Sequence, residues 1–336
     1  MMEPRVSVVV PVYNAMPYLV ELMDSLAGQD LDPASFQVIA VDDGSTDAGA
    51  ALLDDYAARH VNITVIHQPN SGAPGAPRNA GLRAATGRYV FFADGDDILG
   101  TETLRRLVEF ADAHTSDIVI PKLTPVGKRG LPAAVYKRTL IDADVVTAFK
   151  TLFPQKLYRR TLLMEHHIVF PEGPGQVEDA VFNARAFVQA RRISIVTGYD
   201  YYFLRAREDG KNFSSSEPDP AAYSAAIVSI CRIVREHLNA TTAELVIADL
   251  YCRKCLNRYH RGRLSTYDEA TRAAWVDAHK AFAEEFVSDA MAQALESPFR
   301  ERTALVRRSD VAGLVAMGEA ELREKLRLKG ERPTAG

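Results

Sequence analysis

Cysteine is scarce in this chain. Cys231, Cys252 and Cys255 are the only three among 336 residues, an odd number that supports no disulfide framework. Cys252 and Cys255 form a CxxC inside a helical pattern, but a zinc site needs two more ligands and only His260 is near in sequence. The cysteines therefore read as structural or incidental. No apolar run approaches the ~18 residues that a membrane-spanning helix requires. The N-terminus lacks the basic start, apolar middle and small-residue cleavage site of a secretory signal, so a cytoplasmic location is expected. There is no excess of basic charge: the net charge is −4, which gives no reason to expect a nucleic-acid partner. No GxGxxG follows the first strand-like segment and no Walker A motif occurs anywhere. A dinucleotide dehydrogenase and a P-loop NTPase thus lack their main signatures.

What is present is a repeated alternation of buried strands and amphipathic helices. Residues 5–12 (RVSVVVPV), 36–41 (FQVIAV), 63–67 and 88–93 (RYVFFA) are near-continuous apolar, β-branched or aromatic runs, as expected of parallel strands covered on both faces. Helical patterns fall at 17–26, 48–59, 78–85 and 102–115, followed by a strand at 117–122. This order predicts an α/β fold with a mostly parallel, Rossmann-like sheet flanked by helices. Residues 123–150 are less regular. A helix is expected over 155–170 and another from Glu178 to about Ala190, then strands at 193–196 and 199–204. Beyond Glu217-Pro218-Asp219-Pro220 the pattern is almost wholly helical, which places a boundary near residue 218.

Two acidic clusters sit where strands should end, Asp42-Asp43 and Asp94-Gly95-Asp96-Asp97. Open parallel sheets bind ligands at their carboxyl ends. Carboxylates gathered there repel one another unless a cation or polar ligand joins them, and an Asp-x-Asp turn suits Mg²⁺ or Mn²⁺ shared with substrate phosphates. The plainer reading is a turn and helix start, for which Asp and Gly are equally apt. Arg78 follows a Gly/Pro/Asn-rich loop (70–77) and has a planar fork suited to oxyanions, although a lone arginine is more often a surface residue. Glu178-Asp179 alone would be a helix-start acid pair favoured by the dipole. His114, His166, His167, His260 and His279 have no clustered partners and attract no role. Trp275 and the tail's Tyr and Phe residues read as core or oligomer contacts.

Taken in order, Pro11-Val12-Tyr13-Asn14, Asp42 to Asp47, Pro77 to Gly81, Asp94 to Asp97 and Glu178-Asp179 resemble the family 2 inverting glycosyltransferases of GT-A fold. The resemblance implies that Pro11 and Tyr13 line a nucleobase pocket and that Asp43, with Asp42, meets the uracil edge. It implies that Asn70, Arg78 and Asp94 hold the nucleotide-sugar and that Asp97 helps hold the donor. Asp96 would be the ligand of Mn²⁺ or Mg²⁺. Asp179 would be the general base, with Glu178 beside it. Residues 1–217 would form the catalytic domain, with nucleotide-sugar binding over about 1–122 and the acceptor side over about 123–217. Residues 218–336 would form a helical region for oligomerisation.

Residues 70–82 (NSGAPGAPRNAGL), 116–120 and 127–135 are similar to the bacterial wall-teichoic-acid N-acetylglucosaminyltransferases. That narrower likeness implies transfer of GlcNAc from UDP-GlcNAc to a polyol-phosphate polymer, a site of action at the inner membrane face, and trimers. The basic stretch Arg205, Arg207, Lys211 and Asn212 would then meet a phosphate-bearing acceptor, unless it is an ordinary solvated loop. One departure is that the family's histidine in the loop aligned with Asn212-Phe213-Ser214 has no counterpart here. Transferases for exopolysaccharides, lipid-linked glycans or natural products, and a silent nucleotide-sugar-binding protein, are the alternatives. A nucleotidyltransferase would want a Gly-rich basic loop where residues 13–18 (YNAMPY) stand.

Overall fold

The computed structural model describes residues 3–127, 130–173, 177–210 and 217–329. The chain forms two compact units, Met1–Glu217 and Pro218–Gly336. In the first, β1 (Val6–Val12), α1 (Tyr18–Ala27), β2 (Phe36–Asp42), α2 (Gly49–Arg59), β3 (Ile63–His67), α3 (Gly75–Ala84) and β4 (Tyr89–Phe92) alternate along the chain. There follow β5 (Ile98–Leu99), α4 (Thr103–His114), β6 (Ile118–Pro121), β7 (Leu123–Val126), α5 (Val145–Ala148), β8 (Leu157–Arg159), α6 (Arg160–Glu165), α7 (Glu178–Gln189), β9 (Ile193–Val196) and β10 (Tyr202–Arg205).

Seven strands form the main sheet in the order β3-β2-β1-β4-β8-β6-β9, and only β8 runs antiparallel to its neighbours. The register sets Val6 opposite both Phe36 and Tyr89, so β2, β1 and β4 deliver their carboxyl ends side by side. The order reverses between β1 and β4, the switch point at which such sheets open a crevice. β1 is buried on both faces: Val6, Val8, Val9 and Val10 have no exposed surface. Burial of this kind explains why the strand reads as a continuous apolar run rather than an alternating one. A smaller sheet, β5-β10-β7, brings β10 beside the loop after β4.

The helix expected over 155–170 is replaced by a strand and a short helix, β8 and α6. Tyr158 pairs with Val90 of β4 and Ile118 of β6 and is fully buried between them. This three-residue strand is stabilised by its neighbours in the sheet, not by local periodicity, so a helical window averages over it. α3 also starts three residues before the expected Arg78, because the loop's Gly75 already lies in its first turn.

In the second unit, α8 (Pro220–His237), α9 (Ala240–Leu250), α10 (Glu269–Phe286), α11 (Asp289–Ala294), α12 (Phe299–Arg307) and α13 (Val311–Lys329) are joined partly by the irregular helical stretch Tyr251–Thr266. Asp219 caps α8 by accepting from the Ala222 amide, with Pro220 in the first turn. Trp275 is buried, and the Arg258 guanidinium lies 3.8 Å from its ring and 4.2 Å from that of Tyr223. His279 is buried against the Tyr259 hydroxyl, and burial, then the charge of Arg258, pushes its pKa down to about 3. Cys231 and Cys255 are buried and Cys252 half-buried, all as free thiols. No described helix is long and apolar enough to cross a membrane.

α3 packs closely on β1 because Gly81 carries no side chain: a Cβ there would lie 2.3 Å from Val9 Cγ1. Gly81→Ala should cost about 1–3 kcal/mol by overpacking and lower Tm in a thermal melt. Gly198→Ala, which meets open space, should leave Tm unchanged.

Candidate functional site

The loops that leave β1, β2, β4 and β10 converge with the starts of α3 and α7 on one cleft of about 400 Å³. Its walls include Pro11, Tyr13, Asp43, Asn70, Arg78, Asp94, Asp96, Asp97, Glu178, Asp179, Arg205 and Arg207. Residues far apart in sequence, from Pro11 to Arg207, thus meet where the strand order reverses.

Each loop is fixed by its own polar chemistry. Asn14, at φ 48°, accepts through Oδ1 from the amides of Thr46 (2.8 Å) and Asp47 (3.3 Å). The Asn14 amide donates to Ser45 Oγ, and the Met16 amide to Asp47 Oδ2. The 45–47 stretch therefore clamps the loop after β1, on which Tyr13 stands 52% exposed in the cleft wall. Asp43 is almost fully buried, and its carboxylate accepts from the Ser71 amide (3.0 Å), Ser71 Oγ (2.8 Å) and Gln68 Nε2 (2.6 Å). Asn70 Nδ2 donates to the Asp43 carbonyl. Gln68 and Ser71 were not legible in the sequence as parts of the site; only the proximity of a polar 68–71 stretch to the Gly/Pro loop pointed that way.

At the centre, Arg78 is 3% exposed and faces three carboxylates. Its Nη2 donates to Asp94 Oδ1 (2.8 Å) and its Nη1 to Asp179 Oδ1 (2.6 Å), with Glu178 Oε1 at 3.4 Å. Its guanidinium lies 5.2 Å from the Phe170 ring. Burial alone would lower its pKa, but Asp179, Asp94 and Glu178 more than reverse that, so the guanidinium stays charged. Asp94 accepts a second bond at Oδ2 from Gln155 Nε2 (2.7 Å), a residue that no sequence motif marked. Glu178 is pushed up to about 8 by burial and then by Asp179, against the opposing pull of Arg78.

One expectation needs correction, and two further residues are held by partners that no motif marked. Asp42 does not line the cleft: Oδ1 accepts from the Ser45 amide (3.0 Å) and Oδ2 faces His67 Nδ1 (3.0 Å), whose Nε2 meets Asp54. Burial would raise its pKa, yet the bonds from Ser45 and His67 hold it below the usual value, which marks a structural carboxylate. Asp97 reaches the cleft floor but is 1% exposed, with Tyr202 Oη on Oδ2 (2.7 Å) and the Arg205 amide on Oδ1 (2.7 Å). It braces β10 against the acidic loop while lining the cleft. Burial, then Asp96 and Asp94, push its pKa well up. Arg207 is pinned by Asp209 (2.8 and 3.0 Å) and the Asn14 carbonyl, over the Tyr18 ring at 5.1 Å, so it closes a wall and does not extend into solvent. Arg205 shares that ring at 5.2 Å and donates to the Asp96 carbonyl and to Glu21. Lys211 and Asn212-Phe213-Ser214 lie outside the described residues.

The metal expectation fits the donor set in a limited way. Among the described residues, no group of three or more His, Cys, Asp or Glu side chains could hold a cation by itself. Asp94, Asp96 and Asp97 all line the cleft; Asp94 accepts from Arg78 and Gln155, Asp97 from Tyr202 and the Arg205 amide, and Asp96 is half-buried. One hard carboxylate is the kind of partial site that a substrate diphosphate completes.

Residues 7–174 match the family described as Glycosyl transferase family 2, half of the chain. The chain belongs to that family. Residues 220–318 match the glycosyl transferase TarS linker domain. The poly(ribitol-phosphate) beta-glucosyltransferase of Bacillus spizizenii is 38% identical over 234 residues, which cover 69% of this chain and 37% of that protein. The poly(ribitol-phosphate) beta-N-acetylglucosaminyltransferase TarS of Staphylococcus aureus is 35% identical over 258 residues, which cover 76% of this chain and 44% of that protein. This family member thus spans about two-fifths of the length of these curated relatives. The crystal structure of S. aureus TarS 1–349 in complex with UDP-GlcNAc superposes with a TM-score of 0.84 at 29% identity, covering 97% of this chain and 92% of that one.

Two predictions follow from the charges in the cleft. Arg78→Met leaves the Asp94 and Asp179 carboxylates without their shared cation and should destabilise the fold by about 3–5 kcal/mol, read from denaturant melts. Glu178, with a folded pKa of about 8 against an ordinary 4.5, holds a proton that the unfolded chain releases. Stability should therefore decline as pH rises from about 4.5 to 8, and Glu178→Gln should flatten that slope.

Proposed function

We propose that this chain is a metal-dependent inverting glycosyltransferase that moves a sugar, GlcNAc or glucose, from UDP to a hydroxyl of poly(ribitol phosphate) teichoic acid. The observation that carries the reading is the shared cleft, with a half-exposed Tyr13 and the buried Asp43 on one side and Arg78-held Asp179 on the other. Its support from outside the molecule is the likeness to TarS with UDP-GlcNAc and to poly(ribitol-phosphate) transferases.

In this reading Pro11 and Tyr13 cover the faces of the uracil and Asp43 accepts from its edge, with Ser71 and Gln68 holding that carboxylate in place. Asn70 and Asp94 lie toward the ribose and sugar. Asp96 would be the residue to hold Mn²⁺ or Mg²⁺, and a cation bound there would offset charge on the departing UDP. Asp179 takes the proton of the acceptor hydroxyl as that oxygen bonds to the anomeric carbon from the face opposite the diphosphate. The bond from the anomeric carbon to the UDP oxygen breaks, UDP leaves with the electron pair, and the configuration inverts. Arg78 fixes the rotation of the Asp179 carboxylate through Oδ1, so the base does not have to be ordered when the acceptor arrives. The reading carries with it a site of action at the cytoplasmic face of the membrane and a trimer built through the helical second unit, both from the family likeness.

UDP release from UDP-GlcNAc and UDP-glucose with Mn²⁺, with and without poly(ribitol phosphate), tests the proposal. Acceptor-stimulated release is expected. No stimulation by this polymer, with stimulation by another glycan acceptor, would reject the teichoic-acid assignment. Asp179→Asn should lower turnover about 10²–10⁴-fold and leave UDP-sugar affinity within a few-fold; full turnover by this variant would reject Asp179 as the base.

A further inference from the structure

A set of buried polar groups that do not line the cleft has no part in the steps above. Lys156 is 1% exposed, and Asn183 and Tyr158 are fully buried. Lys156 Nζ donates to the Phe153 carbonyl and lies 5.6 Å from the Phe187 ring. Asn183 stands one turn after Asp179 on α7. Its Nδ2 donates to the Asp179 carbonyl (2.8 Å) and to the carbonyls of Leu152 and Phe153 (both 3.2 Å). Tyr158 Oη donates to Asn183 Oδ1 (2.9 Å), which fixes the amide's orientation. The carbonyl of Phe153 is thus shared by Lys156 and Asn183, and the 152–158 segment is stitched to the first turn of α7.

A buried lysine is costly and needs a reason. We propose that Lys156, Tyr158 and Asn183 form a positioning bracket for Asp179, in which Asn183 and Tyr158 hold the turn that carries the base and Lys156 ties down the Phe153 carbonyl to which Asn183 also donates. The proposal rests on the reading of Asp179 as the general base. Three of the bracket's hydrogen bonds run from α7 to the 152–158 segment, so the start of the helix cannot rotate without breaking them. Burial lowers the Lys156 pKa to about 7, against the opposing pull of the Asp179 charge. Below that pH the ammonium is charged and favours the ionised carboxylate. The other charged groups around Asp179 are Arg78 from α3, Glu178 beside it on α7, and Asp94 across Arg78. Tyr158 is a neutral phenol there, its pKa raised far up by burial.

The test is a pH profile of kcat for Lys156→Met and Tyr158→Phe beside the wild type, with UDP-sugar affinity measured in parallel. Lys156→Met should keep donor affinity within about threefold and lower kcat about tenfold. It should also move the acid limb of the profile upward by about half to one pH unit, because a nearby cation that favours the carboxylate is gone. Tyr158→Phe should lower kcat several-fold and leave the acid limb where it was, because it removes an orienting hydroxyl and no charge. A purely structural role would lower Tm without displacing the limb. Wild-type kcat and an unmoved limb in Lys156→Met would overturn the proposal. Should that variant not fold, an unchanged kcat in Tyr158→Phe would do so. Failure of the wild type to transfer sugar, or full turnover by Asp179→Asn, would instead strike the underlying reading.

Discussion

The cleft depends on one buried guanidinium. Arg78 gathers Asp94, Glu178 and Asp179 from two different parts of the chain, and without it the repulsion between the Asp94 and Asp179 carboxylates would push apart the loop after β4 and the start of α7. Because the arginine is nearly inaccessible to water, its attraction for these groups is weakly screened. The same feature explains why it is not a simple ligand contact. Two of its three partners are also anchored from behind, Asp94 by Gln155 and Asp179 through Asn183, so the arginine locks an arrangement that other bonds have already prepared.

The sheet brings these groups together. Parallel pairing of β1 with β2 and β4 aligns three strand ends, and the reversal of strand order leaves room between the loops that follow. Two further braces hold that space open. Asn14 ties the first loop to residues 45–47, and Asp97 ties the acidic loop to β10 through Tyr202 and Arg205. Carboxylates that look equivalent in sequence have thereby divided their work. Asp42 holds the frame away from the cleft, Asp97 braces β10 from the cleft floor, Asp43 and Asp94 face the cleft already oriented by protein donors, and Asp96 lines it half-buried.

That division marks the limit of what the sequence makes legible. Parallel strands, acidic strand ends and the helix starting at Glu178 are local patterns, and each stands where expected. Which member of Asp42-Asp43 reaches the cleft, and how Asp97 is held at its floor, depends on partners such as His67 and Tyr202, 25 and 105 residues away, and no local rule reveals them. Gln155, Lys156 and Asn183 were illegible for the same reason: each is an ordinary polar residue until β8 is seated between β4 and β6. β8 itself is three residues long and owes its existence to those neighbours. Whether Arg207 meets an acceptor or sits in a solvated loop stays open in the sequence, because the Asp209 and Tyr18 that enclose it are not marked as its neighbours there.

The central claim is that the cleft supplies only part of a cation site and that a nucleotide diphosphate completes it. Calorimetric titration of UDP into the protein with Mn²⁺ or with EDTA, beside Mn²⁺ alone, tests this most directly. The account predicts weak binding of Mn²⁺ by itself and a UDP affinity at least about tenfold higher with Mn²⁺, the two effects being reciprocal. Tight Mn²⁺ binding in the absence of UDP, or a UDP affinity indifferent to the metal, would contradict it.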